Sequence, residues 1–249
     1  MSEPGSIIRT LAGRPVARNF HTYVINEVGR AIVSGQIKVG GILPGDSEMM
    51  ARFGVSRTVL REALKTLEAK GLVEARAKVG TRVLPQSRWS LYDRQVLGWV
   101  FESGPSPAFL ASFRLVRERL EIEAAGLAAQ HRDAEQIRLL HYWISQRQKM
   151  AHQPEPFALA EFEVHRLISE ASANPFLRAA SAVVEFGVAV SVSGRLDAAG
   201  AGPAEGLAQR EAPLYAGLLA AVETGQADEA RRLMGDILRG WCGGEAAVP

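Results

Sequence analysis

GDSEMMARFGVSRTVLREALKTLEAK, residues 45–70, reads as a short helix, a tight turn at Phe53-Gly54-Val55, and a second, longer helix. Ser56 stands where an N-cap is needed, so that its hydroxyl accepts a backbone N–H of the first turn. From there Val59, Leu60, Ala63, Leu64 and Leu67 recur at helical spacing and define one apolar face. Arg57, Arg61 and Lys65 fall at i, i+4 and i+8, a basic stripe beside that face. A helix with one buried and one cationic side suits the DNA major groove. Two helices joined by a glycine-containing turn make a helix-turn-helix, whose second helix reads bases. An ordinary amphipathic helix with a solvated charged face gives the same pattern, so the flanking sequence has to decide.

After Gly71 come two short β-prone runs, Leu72–Ala75 and Thr81–Leu84, around a Lys78-Val79-Gly80 turn. They predict a hairpin with Arg76, Lys78 and Arg82 near its tip, and helices followed by a basic hairpin make a winged helix-turn-helix. Residues 39–83 closely resemble the DNA-binding domain of GntR-type bacterial regulators. The shared elements are Leu43-Pro44, Gly54-Val55-Ser56-Arg57, Arg61-Glu62-Ala63-Leu64, Leu67-Glu68, Gly71-Leu72-Val73 and Gly80-Thr81. The resemblance implies that Ser56, Arg57, Thr58, Arg61, Lys65, Lys78 and Thr81 contact DNA. Two departures stand out. Gly45-Asp46-Ser47 replaces the family's usual Ser-Glu-Arg, which removes a common phosphate-contacting arginine, and Lys78 occupies a wing position that is often glycine.

At 249 residues the chain has room for two domains of ordinary size. Its net charge of +2 conceals an asymmetry: residues 1–88 carry 14 Lys/Arg against 7 Asp/Glu, and the remainder 15 against 20. A basic domain joined to an acidic one fits a nucleic-acid binder with a separate regulatory domain. The single cysteine, Cys242, excludes an internal disulfide and a cysteine-rich zinc site and suits a reducing compartment. No apolar run approaches a membrane span and no signal peptide opens the chain, so the expectation is a soluble cytoplasmic protein.

The sequence predicts a mostly α chain. Residues 1–18 read as a flexible arm, and 19–86 as the winged domain, with its helix-turn-helix at about 45–64 and a first helix over Asn19–Gln36. A linker is expected at 87–90, then a helix from Leu91 to Phe101 with two tryptophans nearby, Trp89 and Trp99. Residues 91–243 are expected to form an all-α bundle, with helices at roughly 108–131, 133–152, 155–173, 175–195, 207–224 and 226–241. Asp197–Gly206 reads as a flexible loop between the helices at 175–195 and 207–224.

LVRERLEIEAAGLAA (115–129), LAEFEVHRLISEASANPFL (159–177) and LLAAVETGQADEARRLM (218–234) resemble the FCD ligand-binding domain carried by the FadR-type branch of GntR regulators. RWSLYDRQVLGWV is further similar to the branch that senses sugar acids. In FCD domains a carboxylate four residues before a histidine turns toward a divalent metal. The resemblance puts that pair at Glu161 and His165, with the two further histidine positions at Tyr215 and Ile237. Isoleucine has no lone pair to offer and tyrosine is a poor ligand at neutral pH, so the metal site reads as incomplete and no cofactor is expected. The alternative for Glu161 and His165 is a hydrogen-bonded pair within the bundle that binds the effector directly. Arg117 offers a planar fork matching a carboxylate, its alternative being an exposed i, i+4 pair with Glu121. The implied effector set is therefore Arg117, Glu161, His165 and Tyr215. Tyr142 and Trp143 read as bundle packing.

The sequence thus predicts a homodimeric, ligand-responsive regulator of double-stranded operator DNA, a repressor released by a small carboxylate or sugar acid. A ligand-independent architectural DNA binder is the alternative. An enzyme on the helical domain is a further one, although no Gly-rich phosphate loop, nucleophile motif or complete metal triad supports it.

Overall fold

A computed structural model describes residues 5–9, 19–198 and 205–240. In chain order its elements are α1 (Ser6–Arg9), α2 (Phe20–Val33), α3 (Asp46–Phe53), α4 (Arg57–Ala69), β1 (Val73–Arg76), β2 (Gly80–Val83), α5 (Arg94–Glu102), α6 (Pro107–His131), α7 (Ala134–Lys149), α8 (Pro154–Ala171), α9 (Pro175–Ala179), α10 (Ser181–Ala198), α11 (Glu205–Thr224) and α12 (Ala227–Gly240). They form two compact units: residues 19–105, and residues 5–9 together with 106–198 and 205–240.

In the first unit, Asn19 caps α2 by accepting the Thr22 N–H at 2.7 Å. Val24, Ile25, Val28 and Ile32 of α2 share a core with Leu60, Ala63 and Leu67 of α4. Gly54 ends α3 at φ +66°, a left-handed conformation that costs glycine little and turns the chain sharply into α4. β1 and β2 pair antiparallel from Val73↔Val83 to Arg76↔Gly80, which points Val73 and Val83 into the same core. The strands differ by one residue from the predicted ones because the turn is Ala77–Val79 rather than Lys78–Gly80.

The expected linker at 87–90 and the expected second-domain start at Leu91 are corrected here. Gln86–Arg88 is a 3-10 turn, the Trp89 indole donates to the Leu84 carbonyl at 3.1 Å, and α5 belongs to the first unit. The reason is steric and polar together. Trp99 is buried against Gly29 of α2, where even a methyl group would meet the indole ring at 2.5 Å. Its N–H donates to Asn26 Oδ1 at 3.1 Å, and Gln95 donates to the same oxygen at 2.9 Å. The units divide after Pro105.

The second unit is all helical among its described residues. Alanines 124, 125, 128 and 129 let α6 approach α12 closely, with Ala230, Leu233, Met234 and Ile237 facing them in one core with Tyr215, Leu218 and Val222 of α11. The single helix predicted at 175–195 is two, since α9 stops at Ala179 and α10 restarts at Ser181. Tyr142 is exposed on α7 rather than packed, with only Trp143 resting against the core. Part of the predicted loop, residues 199–204, lies outside the described residues.

The expected flexible arm is also corrected where it is described. Ser6–Arg9 forms one helical turn, with Ile7 and Ile8 completely enclosed and the Ile7 N–H donating to the buried Glu185 carboxylate at 2.6 Å. Residues 1–4 and 10–18 lie outside the described residues. A single turn has no stability of its own in water, so burial of these isoleucines in the helical unit supplies it. Ile8→Ala is expected to lower unfolding free energy by about 2–5 kcal/mol, the usual cost of truncating a buried isoleucine. Denaturant titration checks this. A loss under about 0.5 kcal/mol, the scale of surface substitutions, would show that the turn is not held in solution.

Candidate functional site

The candidate DNA-reading face comprises the start of α4 and the hairpin. Ser56 caps α4 by accepting the Val59 N–H at 3.4 Å. With Leu60, Ala63 and Leu67 turned inward, Arg57, Thr58, Arg61 and Lys65 are exposed on the opposite side. Arg61 lies 3.8 Å from Asp46 of α3, and Lys65 2.8 Å from Glu62. Exposed pairs of this kind contribute about 0–1 kcal/mol and exchange readily for phosphate. Arg61, Lys65 and Asp46 share a groove of roughly 370 Å³ with Val73, Ala75 and Thr81 of the hairpin. That groove brings half-buried Thr81 to the same side as the basic stripe. Lys78 sits at the exposed hairpin tip with φ +63°. The left-handed backbone explains why glycine suits this place, and lysine adopts it at some cost in strain while adding a cation.

The helical unit carries a different chemistry. Arg117, Glu161, His165 and Tyr215, singled out on the sequence, are all buried and belong to one polar cluster. Arg117 of α6 pairs through Nε with Glu121 one turn on, and donates from Nη1 to Ser191 of α10 at 3.3 Å. Gly187 of α10 makes this possible: a Cβ there would stand 2.4 Å from the guanidinium. The alternative of a surface Arg117–Glu121 pair is half right, since the pair exists but is enclosed. Glu121 also meets His165 Nδ1, and His165 Nε2 lies 3.1 Å from the Tyr215 hydroxyl. Burial by itself would raise the Glu121 carboxyl, but the charges of Arg117 and His165 and their hydrogen bonds outweigh it and hold it below the usual carboxylate range.

Sequence reasoning missed the center of this cluster. Arg147 of α7 is fully enclosed and donates from Nε to Glu161 at 3.1 Å and from Nη2 to Glu211 of α11. Its guanidinium carbon stands 4.0 Å over the Tyr215 ring and 4.7 Å from the Phe157 ring centroid. Burial disfavours its charge, yet Tyr215, Glu161 and Glu211 together hold it more firmly protonated than a free arginine. Nη1 is buried without a hydrogen-bond partner. The missed signal is periodicity: Leu140, Trp143, Ile144 and Arg147 fall at i, i+3, i+4 and i+7, which places the arginine on the inward face.

A divalent metal of the kind the FCD resemblance implies does not fit this donor set. Glu161 is engaged by a guanidinium, both His165 nitrogens face other groups, and Ile237 is an apolar core residue. No group of three or more His, Cys, Asp or Glu among the described residues is disposed to hold a metal ion.

Residues 22–83 match the family model of bacterial regulatory proteins of the gntR family, and residues 113–240 match the FCD domain. The HTH-type transcriptional regulator YieP of Escherichia coli K12 is 38% identical over 159 residues, covering 63% of this chain and 69% of that protein. The galactonate operon transcriptional repressor of the same organism is 27% identical over 161 residues, 65% and 70% of the two chains. The repressor NanR of Salmonella newport is 30% identical over 177 residues, 71% and 68%. Among solved structures, Lar, which controls the Listeria monocytogenes agr system, aligns with a TM-score of 0.62 at 15% identity, over 91% of this chain and 96% of that one. E. coli McbR/YncC aligns at 0.53 and 17%, over 90% and 95%. No described helix is long and apolar enough to cross a membrane. With a winged helix-turn-helix and an FCD helical unit in one chain, this protein belongs to the gntR family of bacterial transcriptional regulators.

Proposed function

We propose that the chain is a homodimeric repressor of a catabolic operon, working in the cytoplasm and released when a small organic acid or sugar acid enters the polar cluster of its helical unit. The observation that carries this reading is the cluster itself. Two enclosed arginines, three carboxylates, a histidine and a tyrosine stand inside an alanine- and leucine-rich bundle that packing alone would fill with apolar side chains. Buried ionic groups rarely add stability over apolar replacements, so a binding role accounts for them better than a structural one. Arg117, Glu161, His165 and Tyr215 are the effector contacts, and Ser56, Arg57, Thr58, Arg61, Lys65, Lys78 and Thr81 the operator contacts. A repressor of a galactonate operon among the relatives supports an acid as effector. Dimerisation follows from the reading head, because one helix spans few base pairs and two-fold half-sites double the contact.

A thermal-shift panel of D-galactonate, D-gluconate and dicarboxylates, followed by a gel-shift release assay, tests the reading. At least one acid is expected to raise the melting temperature, to be recovered unchanged, and to release the operator. By linkage the same acid binds the DNA complex less tightly by the same factor. Turnover of the acid would instead reveal an enzyme, and indifference to every acid would favour an architectural DNA binder.

A further inference from the structure

We infer that Arg147 is the resident cation of the helical unit, filling the role of a divalent metal and presenting its Nη1 to an oxygen of the anionic effector. The inference rests on the acid-effector reading above, and it adds a residue and a charge source which that reading lacks.

Three observations carry it. The first is position: Arg147 bridges Glu161, four residues before His165 on α8, and Glu211, four residues before Tyr215 on α11. Each helix thus offers one carboxylate and one ring group from neighbouring turns of the same face, and the guanidinium joins the two carboxylates as a multivalent cation would. The second is confinement. The Tyr215 and Phe157 rings stand against the guanidinium, and the side chain is fully enclosed, so its charge is fixed in place like a bound ion. The third is the buried, unpartnered Nη1. A buried guanidinium N–H left without an acceptor is costly, and an entering carboxylate or hydroxyl oxygen would relieve that cost. The guanidinium keeps two of its contacts with Glu161 and Glu211 while the third donor takes the ligand. The remaining polar neighbours, Arg117, Glu121 and His165, then have to accommodate the rest of the ligand.

The test compares wild type, Arg147→Ala and Arg147→Lys as intact chains, by elemental analysis, melting temperature with and without ZnCl2 or MnCl2, and calorimetry with D-galactonate. Wild type is expected to retain well under one metal per chain after dialysis without chelator and to ignore added metal. Arg147→Ala leaves two buried carboxylates facing each other without a cation. It is expected to melt lower, to gain near-stoichiometric metal, and to recover thermal stability when metal is added. Without metal its galactonate affinity falls about tenfold or more, the scale of a lost charged hydrogen bond, and Arg147→Lys retains stability with metal indifference. Near-stoichiometric metal in wild type, or an Arg147→Ala that folds, takes up no metal and binds galactonate as wild type does, overturns the inference. If Arg147→Ala does not fold, either near-stoichiometric metal in wild type or an Arg147→Lys that binds galactonate as tightly as wild type overturns the inference, because lysine keeps the charge but has no third guanidinium donor to offer the ligand. If wild type binds no acid at all, the effector reading fails by itself, while the metal measurements still decide the role of Arg147.

Discussion

Arg117→Ala is expected to lower unfolding free energy by about 3–5 kcal/mol, the cost of breaking a buried pair by removing one partner. Arg117 and Glu121 side chains are only 5% and 2% exposed, so water cannot replace the lost guanidinium. The pH dependence separates this cause from lost packing. In wild type the Glu121 carboxyl is held below its ordinary value. Its contribution is therefore present above the ordinary carboxylate range, near 4.5, and is lost only as pH falls through the lower folded value. Burial is already the largest single influence on that carboxyl, and without Arg117 only His165 opposes it, so the carboxyl moves upward. Folding then favours the protonated form, so the variant regains stability as pH falls from 7 toward 5. Denaturant titrations at those two pH values should show the gap to wild type narrowing. Arg117→Ala combined with Glu121→Gln should recover much of the loss at pH 7. A gap that is below 1 kcal/mol, or that stays constant with pH, would refute the account of this pair. In the folded fraction, operator binding is expected to persist while release by acid is lost.

The structure explains which features the sequence made legible. Ser56, the Leu60/Ala63/Leu67 face and the Arg57/Arg61/Lys65 stripe are local: successive members of each pattern stand no more than four residues apart, so each could be read without knowing the fold. The helical unit was legible for the same reason. What escaped depended on partners distant in the chain. Trp99 joins the winged unit because of a notch at Gly29, seventy residues earlier, which no local pattern announces. Ile7 and Ile8 looked like part of a Gly- and Pro-rich arm because their burial depends on Glu185 and its neighbours. Arg147 sits among Gln146, Gln148 and Lys149, a run that resembles a solvated helix end, and only the spacing from Leu140 betrays its inward direction. Arg117 and Glu121 were recognisable as a pair, but whether an i, i+4 pair is wet or dry is decided by Gly187 on another helix.

The recognition helix gives the second large effect. Arg57 opens α4 and Arg61 follows one turn later, and both are exposed opposite the apolar face. A bidentate arginine contact to a base is worth about 1–3 kcal/mol. Replacing both arginines by alanine should therefore cost roughly 2–6 kcal/mol of operator binding per half-site, less any coupling between neighbours one turn apart. Melting temperature should hardly move, because neither side chain enters the core shared by α2 and α4 and the Arg61–Asp46 pair is exposed at 64% and 42%. Asp46 supplies an internal control. Its carboxylate lies 3.8 Å from Arg61 and would compete with the proposed DNA contact, so Asp46→Ala should tighten operator binding in wild type and have little effect once Arg61 is alanine. Gel-shift titrations at one fixed salt concentration measure all four proteins, and a titration series in salt separates base reading from phosphate contact, since only lost phosphate contacts flatten the salt slope. Operator affinity within twofold of wild type for the double variant would remove Arg57 and Arg61 from the reading surface and leave the hairpin to account for recognition.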